Sequence, residues 1–247
     1  MEIADTPLDF LTATPDERNW PNLAPKDSAS LIIIDSEGDE VKVLMGRRHP
    51  GHIFMPGMVV FPGGRVEDSD RRMPAAGMLH PRVESALNAR VSRPSPLGGR
   101  ALALAAIRET FEETGILIGT RERYPAKRIP AGAWSEFCKH GVLPDLGAMA
   151  LVARAITPPC LRRRFDTRFF AVYRGSIAVE LQDVIGADSE LVELVWVTIS
   201  DARQLELAKM TQIILTDLQE RLDRGFSHDL PVPFYFERRG RLFRAQL

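Results

Sequence analysis

Cysteine is nearly missing from this 247-residue chain: the two that occur, Cys138 and Cys160, form no CxxC pair and no disulfide framework. A chain of this length can bury a core without cross-links, so a reducing, cytoplasmic setting is expected. Lysine is scarce too. Of 32 Lys and Arg only five are Lys, leaving 27 Arg, and 33 Asp and Glu bring the net charge to -1. That balance removes the broad cationic field of a protein that grips nucleic acid over its whole surface, while local arginine sites for phosphate remain open. No apolar run approaches the ~18 residues of a membrane span, and the first residues lack a basic segment followed by an apolar stretch, so neither a membrane partner nor export is expected. There is no Gly-Lys-Ser/Thr of a P-loop, no GxGxxG after a strand and no GxSxG elbow. His49, His52, His80, His140 and His228 show no HExxH or His-Cys pairing, which reads them as surface or packing residues and argues against zinc.

What is there reads as one α+β domain, a mixed sheet covered by helices. Residues 1–27, with Pro7, Pro15, Pro21 and Pro25, form an N-terminal arm, and 28–247 the domain. Leu31–Ile34 and Val41–Met45 flank turn residues as a hairpin, and Val59–Phe61 is a third strand ended by Pro62-Gly63-Gly64. Residues about 71–99 are rich in Pro and Gly and read as an insertion outside the core, with one short helix around Arg82–Arg90. A helix runs from Arg100 to Thr114, stopped by Gly115, and Ile116–Ile118 leaves it as a strand. Strands follow at 148–156, 167–173 and 191–197. A single long helix is expected over Asp201–Leu222, then a last hairpin through Phe234–Phe236 and Leu242–Phe243.

The Arg100–Thr114 helix carries the chemistry. At about 100° per residue, Leu104, Ile107 and Phe111 form one apolar face, while Glu109, Glu112 and Glu113 gather on the opposite side within about a turn. A charge run of this kind is ordinarily a solvated face. Here, however, Glu109 repels Glu112 and Glu113 at i,i+3 and i,i+4, roughly 0.2–0.5 kcal/mol each. All three also sit at the negative end of the helix macrodipole, which disfavours anions by roughly 0.3–1 kcal/mol apiece. Three oxygen ligands at a helix end suit a hard divalent cation, and the spacing alone leaves metal site and solvated face equally open.

Gly64 and the run Arg108-Glu109-Thr110-Phe111-Glu112-Glu113-Thr114-Gly115-Ile116 together resemble the Nudix signature, Gly-x5-Glu-x7-Arg-Glu-U-x-Glu-Glu-x-Gly-U with U apolar. Three departures stand out. Arg108 follows Gly64 by 44 positions where the signature has 14, Asp70 stands about where the first Glu belongs, and Thr110 takes an apolar position. Phe54-Met-Pro-Gly57, Val60-Phe-Pro-Gly-Gly64 and Arg164-Phe-Asp-Thr-Arg-Phe-Phe170 are further similar to the Nudix branch that includes peroxisomal coenzyme A diphosphatases, whose members also carry an insertion at this point.

The resemblance implies an α/β/α sandwich that hydrolyses a nucleoside diphosphate linked to another group with Mg²⁺ or Mn²⁺. Glu109, Glu112, Glu113 and the Gly64 carbonyl would hold the metal, and Arg108 would orient a box carboxylate. A box glutamate such as Glu109, or the distal Glu190 with Glu193 behind it, would serve as general base. From the residues themselves, Arg47-Arg48 and Arg162–Arg164 near Asp166 are candidate phosphate clamps, one Arg of each run being expected to bind. Coenzyme A or an acyl derivative is the first substrate expectation, with NADH or ADP-ribose next. A non-catalytic nucleotide-binding module is the rival, and the insertion would shape the pocket or a homodimer contact.

Overall fold

The computed structural model describes residues 6–8, 18–52, 55–121 and 129–247; Phe54 and most of the arm before residue 18 lie outside them. In chain order the elements are β1 (Thr6–Leu8), β2 (Lys26–Asp35), β3 (Lys42–Arg48), β4 (Val59–Val60), β5 (Gly63–Arg65), α1 (Asp68–Arg72), α2 (Pro81–Asn88), α3 (Pro96–Thr114), β6 (Ile116–Ile118), α4 (Ala133–Lys139), β7 (Ala150–Ile156), β8 (Phe165–Tyr173), β9 (Ile177–Glu180), β10 (Leu191–Thr198), α5 (Ile199–Ala202), α6 (Lys209–Asp223), β11 (Pro233–Arg238) and β12 (Arg241–Gln246).

The main sheet runs β1-β12-β11-β7-β8-β2-β3-β10, with β4 paired to β3 and β5 to β2. An interior strand, β2, alternates strictly. Leu31 and Ile33 point into a core shared with α3, whereas Ile32 and Ile34 point into a second core with Ile214, Leu215 and Leu218 of α6. Helices on both faces of a mixed sheet make the expected sandwich. Along one edge β2 pairs in parallel with β8 from Lys26 to Ile34. Its other edge is divided: Ile34 and Asp35 meet β3, while Ser28–Ser30 meet β5. That division seats the Gly63-Gly64 backbone beneath α3, so the glycines form a short strand instead of merely ending one.

Three expectations need correction. The prolines of the 71–99 segment start helices, with Pro81 opening α2 and Pro96 opening α3, where a missing N–H costs nothing. Met73, Val83, Ala86 and Leu87 are buried in the same core as α3, so the insertion is core-forming, and its last residues belong to the helix. Second, α3 has no single apolar face over Ala101–Ile107, which is buried all round. Helices α1, α2 and α4 close over the side away from the sheet; α4, which the sequence reading omitted, contributes fully buried Trp134 and Phe137. Third, Asp201–Leu222 is two helices. The segment between α5 and α6 leaves helical geometry, and Glu206 offers its carbonyl to the Val59 N–H at 2.9 Å, satisfying a donor of β4.

Candidate active site

Helix α3 ends at Gly115 in the left-handed conformation, φ 75°, where any side chain would be strained. The preceding turns hang the glutamates over β5. Glu109 lies directly on Gly64: a Cβ there would come within 2.3 Å of the Glu109 carboxyl carbon and would push that carboxylate off the strand. Glu113, nine-tenths buried, accepts a hydrogen bond from the Gly63 N–H at 3.0 Å. Glu112 is turned aside, its Oε2 taking the Arg108 Nη1 at 2.5 Å.

Arg108 is the hub of this end. Its Nε donates to Asp70 Oδ1 at 2.8 Å, its Nη2 to Asp70 Oδ2 at 3.2 Å and to the Arg65 carbonyl at 2.8 Å, and its Nη1 also lies 3.1 Å from Glu109 Oε1. Burial works against the Arg108 charge, but Asp70 and then the glutamates outweigh it and raise its pKa. Asp70, completely buried, also accepts the Glu67 N–H at 2.8 Å and so caps α1. The residue in place of the first signature Glu therefore locks the arginine that directs Glu109 and Glu112.

A second group faces the glutamates from β3 and the start of β10. Arg48 Nη1 lies 3.0 Å and His52 Nε2 3.3 Å from Glu190 Oε1, and Arg48 Nη1 meets His52 Nδ1 at 2.9 Å. Arg47 turns instead to Glu193, with Nε at 3.0 Å from Oε2, and to the Gly57 carbonyl. The sequence reads His52 as a surface or packing residue; its position four after Arg48, just beyond a strand end, is the available signal.

The acids here are electrostatically strained. Burial foremost pushes Glu109 up to about 7, with the charges of Glu112 and Glu190 adding and Arg108 opposing. Burial and then the charge of Glu190 hold Glu113 well above the usual carboxylate range, against Arg48 and the Gly63 N–H, with Glu109 adding to the rise. Among the described residues no three His, Cys, Asp or Glu side chains converge as a ready-made metal cage, because Glu112 is committed to Arg108. Buried, under-neutralised oxygen donors beside a bare glycine backbone nonetheless fit a hard divalent cation, and Glu112, its side chain 43% exposed, would have to exchange Arg108 for the cation to join them.

Two sequence candidates lie elsewhere. Arg164, in place of clamping phosphate, ties the arm to the sheet through Asn22 Oδ1 at 2.7 Å and the carbonyls of Leu23, Thr157 and Pro158. Its neighbour Arg162 stacks over Trp20. Asp166 pairs with Arg154 at 2.7 Å and Arg168 at 3.1 Å, beside a cavity at the opposite end of α3.

A NUDIX domain model matches residues 24–217. The chain is 34% identical over 166 residues to the acyl-coenzyme A diphosphatase NUDT19 of Gallus gallus, a match covering 47% of this chain and 44% of that protein. The chain thus spans under half the length of that relative. Its structure is similar to a NUDIX hydrolase from Alicyclobacillus acidocaldarius, with a TM-score of 0.58 and 26% identity over 78% of this chain and 90% of the other. Among the described residues no helix is long and apolar enough to cross a membrane.

Proposed function

The chain belongs to the Nudix family, and from that premise we propose that it hydrolyses a phosphoanhydride bond in a nucleoside diphosphate linked to another moiety, with coenzyme A or an acyl derivative as substrate. The observation that carries this reading is the placement of Glu109 on Gly64 and of Glu113 on the Gly63 N–H, two buried acids that Arg108 and Arg48 leave incompletely neutralised. The substrate choice rests on the likeness to the acyl-coenzyme A diphosphatase of Gallus gallus.

Glu109, Glu112, Glu113 and the Gly64 carbonyl would hold Mg²⁺ or Mn²⁺, which supplies charge neutralisation at the pyrophosphate and acidifies attacking water. The protein's own part is positioning. Arg108, fixed by Asp70, would direct Glu109 at the strand, and Glu112 would exchange Arg108 for the cation. Glu190 is held through Oε1 by Arg48 and His52, which leaves Oε2 to take the proton from water as general base. Arg47, half exposed at the end of β3, exchanges Glu193 for a substrate phosphate oxygen.

The test is a panel of coenzyme A, an acyl-coenzyme A, NADH, ADP-ribose and dinucleoside polyphosphates with Mg²⁺ and with EDTA, products being separated by mass. Cation-dependent release of adenosine 3′,5′-bisphosphate and a phosphopantetheine is the expected result. Turnover of NADH or ADP-ribose alone would move the substrate, and tight binding without turnover would make the chain a nucleotide sensor.

A further inference from the structure

The first turn of helix α3 carries no charge of its own, while the acids at its far end sit against the helix dipole. The helix has no acidic residue in its first turn and no basic residue in its last, whereas the partial charges of a helix favour the reverse. The acids at the far end make sense with a cation. The near end opens on a cavity of about 370 Å³.

Five arginines wall this cavity, Arg71, Arg90, Arg93, Arg154 and Arg168, against two carboxylates, Asp27 and Asp166. Arg154 is fully engaged, with both Asp166 oxygens at 2.8 and 2.7 Å, the Ala89 carbonyl at 3.0 Å and the Phe234 ring below it. Arg168 is 97% buried and reaches Asp27 Oδ1 at 2.6 Å through Nη1, yet its buried Nε has no partner. Burial, and the like charge of Arg154, lower its pKa. Arg71 and Arg93, from α1 and the α2–α3 loop, make no ion pair among the described residues. Arg71 and Arg93 therefore bring to the wall positive charge that no ion pair among the described residues balances.

The backbone is opened in the same place. Gly98 and Gly99 lie in the first turn of α3, where glycine weakens a helix. Gly99 has a packing reason, since a Cβ there would sit 3.3 Å from Leu87. Gly98 has none: the nearest atom to its Cβ position is 3.9 Å away. The Ser95 hydroxyl caps no N–H of this turn. The Gly98 and Gly99 N–H groups both donate to the Ser95 carbonyl, at 2.9 and 3.3 Å, so what converges on this space is the unpartnered Arg168 Nε together with Arg71 and Arg93 from two further elements.

We propose that this cavity is a second ligand site, and that it takes a phosphate monoester. Planar guanidinium forks approaching from several directions match a dianionic tetrahedral group better than a carboxylate. Gly98 lies eleven residues before Glu109, about 16 Å along the helix, so the site is separate from the place where the anhydride bond would be cut. Two sources share this chemistry: a phosphate on the far part of a long substrate, and a free phosphate ester acting as effector.

Inorganic phosphate is the probe, titrated into the full chain in EDTA at constant ionic strength, with binding read by calorimetry and by the melting temperature. The parent and Glu113→Gln should bind it saturably, and the Arg71→Ala/Arg93→Ala double variant, altered only at exposed side chains, should bind at least tenfold more weakly. Because no turnover is involved, this result is independent of the activity proposed above. The source is then read from kinetics. A KM for coenzyme A that rises in the double variant, with that for 3′-dephospho-coenzyme A unchanged, assigns the phosphate to the substrate; phosphate altering turnover of both assigns it to an effector. Equal binding by parent and double variant, no saturable binding by the parent, or loss of binding in Glu113→Gln alone would overturn the proposal.

Discussion

At one end of α3 three glutamates crowd over a glycine strand beside the helix's negative pole; at the other, arginines gather round a glycine-opened first turn at its positive pole. Between them Ala101–Ile107 is apolar and buried all round. A helix optimised for stability alone would exchange the two charge sets. The middle stabilises the fold, and the acidic end, with its charges against the dipole, forgoes some stability.

The largest expected effect comes from cutting the tie that fixes the acidic end. Asp70→Ala leaves the buried Arg108 guanidinium without its main carboxylate and frees the cap of α1, and should lower stability by about 3–5 kcal/mol in urea denaturation. A loss below about 1 kcal/mol would mean that Glu109 and Glu112 suffice to hold Arg108.

Next comes the acid itself. Glu113→Gln should reduce turnover by about 100-fold or more, about 2.7 kcal/mol in the barrier, because a neutral amide is a poor ligand for a hard cation. Its melting temperature in EDTA should hold or rise, since a buried charge is removed while the Gly63 N–H keeps an acceptor. Excess Mg²⁺ should stabilise the parent much more than the variant. A variant melting clearly lower in EDTA would make Glu113 a structural partner.

The pH dependence of the metal-free protein is a smaller effect. With Glu109 pushed up to about 7 from an ordinary 4.5, the folded state keeps a proton that the unfolded chain has released, so stability is highest below that window. It should fall by on the order of 2 kcal/mol as pH rises from 4.5 to 7. Glu109→Gln should flatten that slope in chemical denaturation across pH. A slope of opposite sign would show that Arg108 neutralises the site.

The smallest effect tests the basic end. Gly98→Ala meets open space and should raise stability by about 0.5–1 kcal/mol through helix propensity, with weaker phosphate binding. A destabilising outcome would show that Gly98 serves packing.

The contrast between the two ends also separates what a sequence discloses from what it does not. Glu109, Glu112, Glu113 and Gly115 share one helical turn and its stop, so spacing alone placed them. The β2–β3 hairpin and the β11–β12 hairpin were legible for the same reason, local alternation around turn residues. The basic end was illegible because Arg71, Arg93 and Arg168 come from three elements that meet only through long-range packing. Asp70 could be aligned with the signature, but that it binds Arg108 depends on the chain folding back across 38 positions. Arg164 shows the converse: it looked like a clamp beside Asp166, yet it lies just before β8 and its guanidinium is taken up by Asn22 and nearby carbonyls, so it serves the arm.

The division of β2 between two partner strands fixes Gly63 within reach of Glu113, across 50 positions of chain. Together with Asp70 and Arg108 this makes two staples at the base of one large loop. The entropy of closing a loop grows only with the logarithm of its length, about 0.6 kcal/mol for each doubling. Residues added between α2 and α3, at the exposed Ser92–Pro94, would therefore scarcely be felt at the glutamates. The spacing that matters is the short one, from Gly64 to Asp70 and from Arg108 to Gly115. The long gap between those pairs is a region in which length can drift over evolutionary time while the geometry at the base stays put.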